Sequence, residues 1–290
     1  MTRYLIAGAG GMLGHDLQAV FADRDVTALS RAQLDVTDLR AVRGAATGHD
    51  VIINAAAYTR VDDAESDEDA AYAVNAIGAK NLAIAAAEND ARLVQLSTDY
   101  VFDGTAVTPY GEYTTRHPIS AYGRTKGEGE RLALEANPAR TYIVRTAWLY
   151  GQHGPNFAKT MLRLATSQPV ITVVTDQVGQ PTWTVDLARQ IFALVDSDAP
   201  AGIYHGTNSG QASWFDFART IFASVGIDPA RVQPTDSGLF ARAARRPAYS
   251  VLGHDAWGRV GLKPMRPWTE ALEEAAASGA LVARHDHGNA

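Results

Sequence analysis

Tyr122 and Lys126 stand four residues apart in Ala-Tyr-Gly-Arg-Thr-Lys. On a helix that spacing puts both side chains on one face. A lysine ammonium beside a tyrosine phenol lowers the phenol's pKa from its reference near ~10, which makes Tyr122 a proton donor to a carbonyl oxygen at neutral pH. The spacing alone is common on solvated helix faces, so its weight comes from its surroundings. Thr98, in Ser-Thr-Asp-Tyr-Val-Phe at 97–102, ends an apolar run and offers a hydroxyl to the same oxygen. A hydroxyl donor, a phenolic acid and a cation that also holds a nicotinamide ribose form a carbonyl reduction site once a hydride carrier is present.

Gly8-Ala9-Gly10-Gly11-Met12-Leu13-Gly14 follows the first apolar run directly and opens a segment of helical pattern. Small residues there let the backbone approach a pyrophosphate, and a helix N-terminus offers free N–H groups and a positive dipole end. Gly14 permits close packing of helix on strand. A glycine-rich turn carries far more weight between a strand and a helix than alone. The second apolar run ends Ala28-Leu29-Ser30-Arg31. A site that selects NAD usually has an acid there for the ribose hydroxyls. Ser30 and Arg31 stand in its place, and a guanidinium fork suits a 2′-phosphate, so NADPH is the expected cofactor, with NADH possible.

The elements that must position these residues alternate along the first two-thirds of the chain. Short aliphatic runs at 4–7, 26–29, 51–54, 93–97 and 142–146 read as strands. Alanine-rich segments with helical spacing lie between them, at 70–89 and 121–135. Strands alternating with helices imply βαβ units and a parallel sheet, and continuous apolar strands fit a sheet covered on both faces. The expected fold is α/β, a doubly wound parallel sheet of Rossmann type with a smaller C-terminal substrate-binding lobe. After Trp148 the rhythm changes. A helix is expected over 155–165, a β-run over 170–175, a strand over 202–206 and a helix over 214–225 with Ser213 as N-cap. Irregular stretches surround 245–247 and 263–267. Residues 1–150 are read as the nucleotide-binding domain, with elements near 170–208 returning to it, and 151–290 as mainly the substrate lobe.

Composition narrows the function classes. The chain has 290 residues, 46% hydrophobic, and a net charge of −6. Arg245-Arg246 is its sole arginine doublet, so no basic footprint for nucleic acid is expected. Without cysteine there is no disulfide, thiolate nucleophile or cysteine-based metal site. His285 and His287 fall in a polar tail and are not read as metal ligands. The first apolar segment is too short for a signal peptide, and no run reaches the ~18 residues of a membrane helix. A cytoplasmic protein without a membrane partner is expected.

The ordered motifs are similar to those of the extended short-chain dehydrogenase/reductases and, within them, of the dTDP-4-dehydrorhamnose reductase family, along nearly the whole chain. The resemblance is carried by Gly-Gly-Met-Leu-Gly at 10–14, Leu-Asp-Val-Thr-Asp at 34–38, Asn-Ala-Ala-Ala-Tyr-Thr at 54–59, and Val74-Asn75. Ser-Thr-Asp-Tyr-Val-Phe-Asp-Gly at 97–104, Tyr-Gly-Arg-Thr-Lys at 122–126 and Arg-Thr-Ala-Trp-Leu-Tyr-Gly at 145–151 continue it. Asn-Phe-Ala-Lys-Thr-Met-Leu at 156–162 and Asp-Gln-Val-Gly-Gln-Pro-Thr at 176–182 are its most specific segments, and Arg246-Pro247 with Ser250 and Leu252 completes it. The resemblance implies reduction of dTDP-4-dehydro-L-rhamnose by NADPH. It places Gly11, Met12 and Leu13 at the pyrophosphate, within the loop of Gly8, Gly10 and Gly14, beside the Ser30 and Arg31 already read as ribose neighbours. Asp35 and Val36 come to the adenine, and Ala57, Tyr58, Thr59 and Asn75 lie along the cofactor. Thr98, Tyr122 and Lys126 take the catalytic roles. Thr98, Asp99, Trp148, Asn156 and Arg246 face the sugar nucleotide, where Arg246 suits the substrate's pyrophosphate.

One departure matters. Some members of this family dimerise through a metal held by glutamates. Here the first-helix position is Asp16 and the later segment reads Trp-Thr-Val-Asp, so no metal site is carried over and a monomer or weak homodimer is expected. Other readings are a reductase for another dTDP-4-keto-deoxysugar, such as one of dihydrostreptose type, and a non-catalytic regulatory subunit like that of methionine adenosyltransferase. An epimerase or dehydratase of the superfamily would return the hydride to its substrate. A dehydratase would also need an acid pair after the strand-end threonine, where this chain has Asp99-Tyr100.

Overall fold

A computed structural model describes residues 1–240 and 242–281; His285 and His287 lie outside them. The first half runs β1 (Arg3–Ala7), α1 (Met12–Val20), β2 (Asp25–Leu29), α2 (Leu39–Ala46), β3 (Val51–Asn54), α3 (Glu68–Tyr72), α4 (Gly78–Glu88), β4 (Arg92–Thr98), α5 (Ala121–Ala136) and β5 (Thr141–Thr146). The second half continues with β6 (Leu149–Tyr150), α6 (Phe157–Ala165), β7 (Ile171–Val174), β8 (Val178–Gly179), β9 (Thr182–Trp183), α7 (Thr184–Val195), β10 (Gly202–His205), β11 (Ala212–Ser213), α8 (Trp214–Ser224), β12 (Val232–Thr235), α9 (Asp255–Arg259) and α10 (Trp268–Ala277).

Six strands form one parallel sheet in the order β10-β5-β4-β3-β1-β2. The order reverses between β1 and β3, and in open α/β sheets ligands bind outside the strand ends at such a switch point. Strand alternation divides the core. Ile6, Ile53, Val94 and Val144 pack with Leu17 of α1 and Leu187 and Ile191 of α7. Leu5, Ile52, Leu93 and Ile143 pack on the other face with Val42, Leu82 and Ala133 of α2, α4 and α5. The fold is thus α/β with both sheet faces covered, which explains why these strands read as unbroken apolar runs. A separate apolar cluster joins Tyr150, Trp183, Phe217, Phe222, Trp268 and Leu272 from the second half. Among the described residues no helix is long and apolar enough to cross a membrane.

Local differences from the sequence reading have physical causes. The expected helix at 70–89 is interrupted by a π-helical turn, Ala73–Ile77, between α3 and α4. Such turns often mark functional positions, and this one carries Asn75. Helix α7 was not expected, although Leu187, Ile191, Leu194 and Val195 are buried at the i, i+4, i+7, i+8 spacing of one helical face. Ser213 caps α8 as expected, in a capping box with Asp216.

Candidate active site

The glycine loop is built for close backbone approach. Gly8 has φ +82°, and a Cβ there would sit 2.5 Å from the Ala56 nitrogen, so the loop lies directly against the turn that follows β3. A Cβ on Gly14 would fall 2.4 Å from the Gly8 carbonyl oxygen. Gly10 and Gly11 are exposed, with room around Gly10. Gly11 is the N-cap of α1 and has no side-chain cap bond, so the first turn of that helix keeps donors for an anion. Met12 is half-buried and Leu13 buried beneath the loop. These residues fit a dinucleotide pyrophosphate.

The remaining cofactor candidates line the same strand ends. Ser30 donates to Gln33 Oε1 at 2.8 Å, and Arg31 is exposed beside it. Asp35 accepts from the Thr37 nitrogen at 2.9 Å and hydroxyl at 2.7 Å, and these bonds hold its carboxyl below the usual range. Val36 is buried against Gly78. Ala57 and Tyr58 are half-buried and Thr59 is exposed after β3. Asn75 is buried, and its side chain is taken up by protein groups. It accepts from the Tyr58 nitrogen at 2.9 Å and donates to the Tyr58 carbonyl at 3.2 Å and to Thr125 Oγ1 at 3.1 Å. It therefore fixes the backbone that follows β3.

Helix α5 carries Tyr122 and Lys126 one turn apart. Ser120 caps it by accepting from the Gly123 nitrogen at 3.1 Å. Glycines let the helix sit tight: a Cβ on Gly123 would meet the Tyr100 carbonyl oxygen at 2.2 Å, and one on Gly129 the Asn75 carbonyl oxygen at 2.1 Å. The first approach sets the Tyr100 ring edge-on to Tyr122, with centroids 5.7 Å apart. Thr98, at the end of β4, lies beside the Tyr122 phenol, and its hydroxyl favours the ionised form of that phenol. Its hydroxyl also lies 2.9 Å from Asp99 Oδ1, as donor, and accepts from the Tyr100 nitrogen at 3.2 Å.

The electrostatics correct the expectation that Lys126 lowers the phenol directly. Burial pushes Tyr122 up to about 12; the charge of Asp99 adds to this and the Thr98 hydroxyl opposes it. Lys126 is buried and donates to the Leu96 carbonyl at 2.5 Å. Burial pushes its ammonium down to about 8, against the opposing charge of Glu130. Desolvation thus outweighs the pairing that sequence spacing suggested. Tyr122 remains protonated at neutral pH, as a general acid must. Asp99 is pushed up to about 6 by burial, against the nearby Ser250 hydroxyl and the hydrogen bond from Thr98. One of its carboxylate oxygens is buried without a partner among the described residues.

The substrate candidates divide. Arg246 holds Asp62 in a fork, at 3.1 and 2.8 Å, and its charge bears on the Tyr100 phenol. It therefore lies next to the ring that meets Tyr122 edge-on. Trp148 has φ +46°, a conformation that costs a bulky residue of order 1–3 kcal/mol and persists where the surroundings enforce it. The Trp214 ring stacks on it at 3.5 Å, and a Cβ on Gly179 would clash with it at 2.6 Å. Asn156 serves as N-cap of α6, accepting from the Lys159 nitrogen at 3.1 Å and donating to the Gly151 carbonyl at 2.9 Å. Sequence reasoning gave no role to the groups behind the site, Ser97, Glu130, Arg145, Asp62 and Ser250, although Ser97, Arg145 and Ser250 stand in the motifs that carry the resemblance. Glu130 had a readable signal, since it stands four residues beyond Lys126 on the same helix. The nearness of Ser250 to Asp99 and the pairing of Asp62 with Arg246 join distant segments, and spacing alone does not reveal them.

Comparison with known proteins follows from this geometry. A family model described as the RmlD substrate binding domain matches residues 2–280. A protein of Streptomyces niveus named dTDP-4-keto-6-deoxy-D-glucose reductase is 50% identical over 277 residues, covering 94% of this chain and 96% of that protein. A dTDP-4-dehydrorhamnose reductase of Streptomyces griseus is 50% identical over 280 residues, covering 94% and 92%. The solved dTDP-4-dehydrorhamnose reductase of Bacillus anthracis in complex with NADP superposes with a TM-score of 0.92 at 40% identity, over 96% of this chain and 100% of that one. On the strength of the full-length family match and these relatives, the chain belongs to the dTDP-4-dehydrorhamnose reductase family.

Proposed function

We propose that this chain is a reductase that uses NADPH to convert the 4-keto group of dTDP-4-dehydro-L-rhamnose to the alcohol of dTDP-L-rhamnose. The observation that carries this reading is the grouping of Thr98, at the end of β4, with the buried Tyr122 phenol beside it and with Lys126 buried on the next turn of α5. When bound, NADPH supplies the hydride. Gly8, Gly10, Gly11, Met12, Leu13 and Gly14 would hold its pyrophosphate, Ser30 and Arg31 its adenosine ribose, Asp35 and Val36 its adenine, and Ala57, Tyr58 and Thr59 its length, with Asn75 fixing Tyr58 from behind.

Thr98 and Tyr122 would both donate to the 4-keto oxygen, which orients the carbonyl and polarises it. As charge grows on that oxygen, the Tyr122 proton moves to it. The Lys126 ammonium offsets the charge left on the phenolate and holds the nicotinamide ribose. Asp99, Trp148 and Arg246 would contact the sugar nucleotide. Arg246 has a geometric competitor in Asp62, and Asn156 would support the pocket as the cap of α6. A cytoplasmic location and a monomer or weak homodimer go with this reading, and residues 151–290 would form most of the substrate lobe.

The sugar itself divides two readings. The Streptomyces niveus relative is named for the unepimerised keto sugar, at an identity equal to that of the rhamnose enzyme from Streptomyces griseus. Incubating the protein and NADPH with dTDP-4-keto-6-deoxyglucose, with and without a 3,5-epimerase, separates them by NMR of the product. Product only with the epimerase is expected; product without it transfers the assignment to the unepimerised sugar. No turnover of either, with a stoichiometric partner enzyme in a pull-down, points to a regulatory subunit.

Cofactor choice is tested at Arg31. A charge-assisted bond to phosphate contributes roughly 1.5–3 kcal/mol. Arg31→Ala is therefore expected to raise the KM for NADPH roughly 10–100-fold and leave that for NADH near its starting value. An unchanged ratio of the two KM values contradicts the role.

A further inference from the structure

Two consecutive residues of β4 are tied to two successive turns of α5, and the third lies beside the turn before them. The Leu96 carbonyl accepts from Lys126 Nζ at 2.5 Å, the Ser97 hydroxyl donates to Glu130 Oε1 at 2.5 Å, and Thr98 lies beside Tyr122. Tyr122, Lys126 and Glu130 follow one another at intervals of four residues, so they share one face of the helix. Glu130 is 1% exposed. Besides Ser97 it accepts from Arg145 Nε and Nη2, each at 2.8 Å, and from Arg116 Nη1 at 3.2 Å. Arg145 lies on β5 in register with Ser97, so the carboxylate spans α5, β4 and β5 at the level of the active site.

We infer that Glu130 is a positioning residue for the reduction: it clamps the Thr98 end of β4 to the helix bearing Tyr122, and it supplies the buried negative charge that faces Lys126. The inference rests on the reading of Lys126 and Tyr122 given above. A purely structural ion pair in a core can often be exchanged for apolar groups at no cost. A carboxylate one turn below a buried lysine has a second consequence, because it favours the charged ammonium that burial disfavours. The neighbouring charges are distributed so that Glu130 alone opposes burial at Lys126. Arg145 and Arg116 face Glu130 from β5 and from the segment before α5. Glu112 and His205 lie beyond Arg145, at its far guanidinium nitrogen. Asp99 and Tyr100 lie beside Tyr122, and the Asp99 charge raises both phenols.

The test uses Glu130→Gln, the charge-balanced pair Glu130→Gln with Arg145→Met, and Glu130→Asp. The chain has four lysines, Lys80, Lys126, Lys159 and Lys263, so isotope-labelled lysine NMR can follow Lys126 by itself. In the wild type its midpoint is expected near 8. It should fall by roughly one unit or more in both variants that lose the carboxylate and stay near the wild-type value in Glu130→Asp. The basic limb of the kcat/KM profile should move with the midpoint. A Lys126 midpoint that does not move in a folded variant lacking the carboxylate overturns the inference, whatever happens to the rate. A wild-type rate that ignores the Lys126 titration instead overturns the assignment of Lys126, so the two failures are distinguishable.

Discussion

Tyr122→Phe is expected to lower kcat by ~10²–10⁴-fold, the contribution of a positioned general acid, while NADPH affinity and thermal stability stay near wild type. The substitution removes one oxygen and keeps the ring, so the edge-on contact with Tyr100 at 5.7 Å survives. With the phenol pushed up to about 12, the acid is loaded at every pH near neutrality. Its own ionisation therefore does not set the basic limb of the rate. In the proposed mechanism Lys126, pushed down to about 8, is expected to set it: the rate should hold below that pH and fall as the ammonium loses its proton above it. Thr98→Val should cost less than Tyr122→Phe, because it removes an orienting donor and leaves the transferred proton in place. Steady-state kinetics of the two variants beside a cofactor titration check this. Near-wild-type turnover in Tyr122→Phe refutes the role.

The second large effect falls on stability. Arg145 is 1% exposed and gives Glu130 two bonds at 2.8 Å. Its guanidinium also lies 5.1 Å from the centre of the Phe102 ring, and it donates to the Glu112 carbonyl at 3.0 Å. Arg145→Met leaves Glu130 buried with only Arg116 and Ser97, and breaking one side of such a pair costs roughly 3–5 kcal/mol. At roughly 2–4 °C per kcal/mol for a chain of this size class, Tm should drop by roughly 6–20 °C. Adding Glu130→Gln to Arg145→Met should recover part of that loss, since the uncompensated charge is then gone. Calorimetry of the single and double variants measures the coupling. A single variant as stable as the wild type would show that the pair does not hold the core.

The parts of the molecule legible in the sequence are those whose physics is local. The run Tyr4–Ala7 followed by Gly8 could only be a buried strand entering a tight turn, and Gly8 does adopt φ +82° there. The sheet, the phosphate loop and the shared face of Tyr122 and Lys126 were readable for the same reason. What was not readable depends on burial and on distant partners. Spacing suggested that Lys126 acts on the phenol, but desolvation dominates both groups. Asn75 and Asn156 carry motif signals, and each spends its amide on groups of the fold itself. Arg246 finds Asp62 across 184 residues, a pairing no local pattern encodes. Trp148 takes its unusual backbone from Trp214 and Gly179, which sequence places far away.

The central claim is that this site delivers a hydride and the Tyr122 proton to one carbonyl. NADPH deuterated at the reactive C4 position of its nicotinamide, given with the epimerised dTDP-4-keto-6-deoxy sugar, tests it most directly. The account predicts one deuterium at sugar C4 for each NADPH consumed, with transfer all but abolished in Tyr122→Phe. Deuterium absent from C4, or present there at the wild-type rate in Tyr122→Phe, would contradict it.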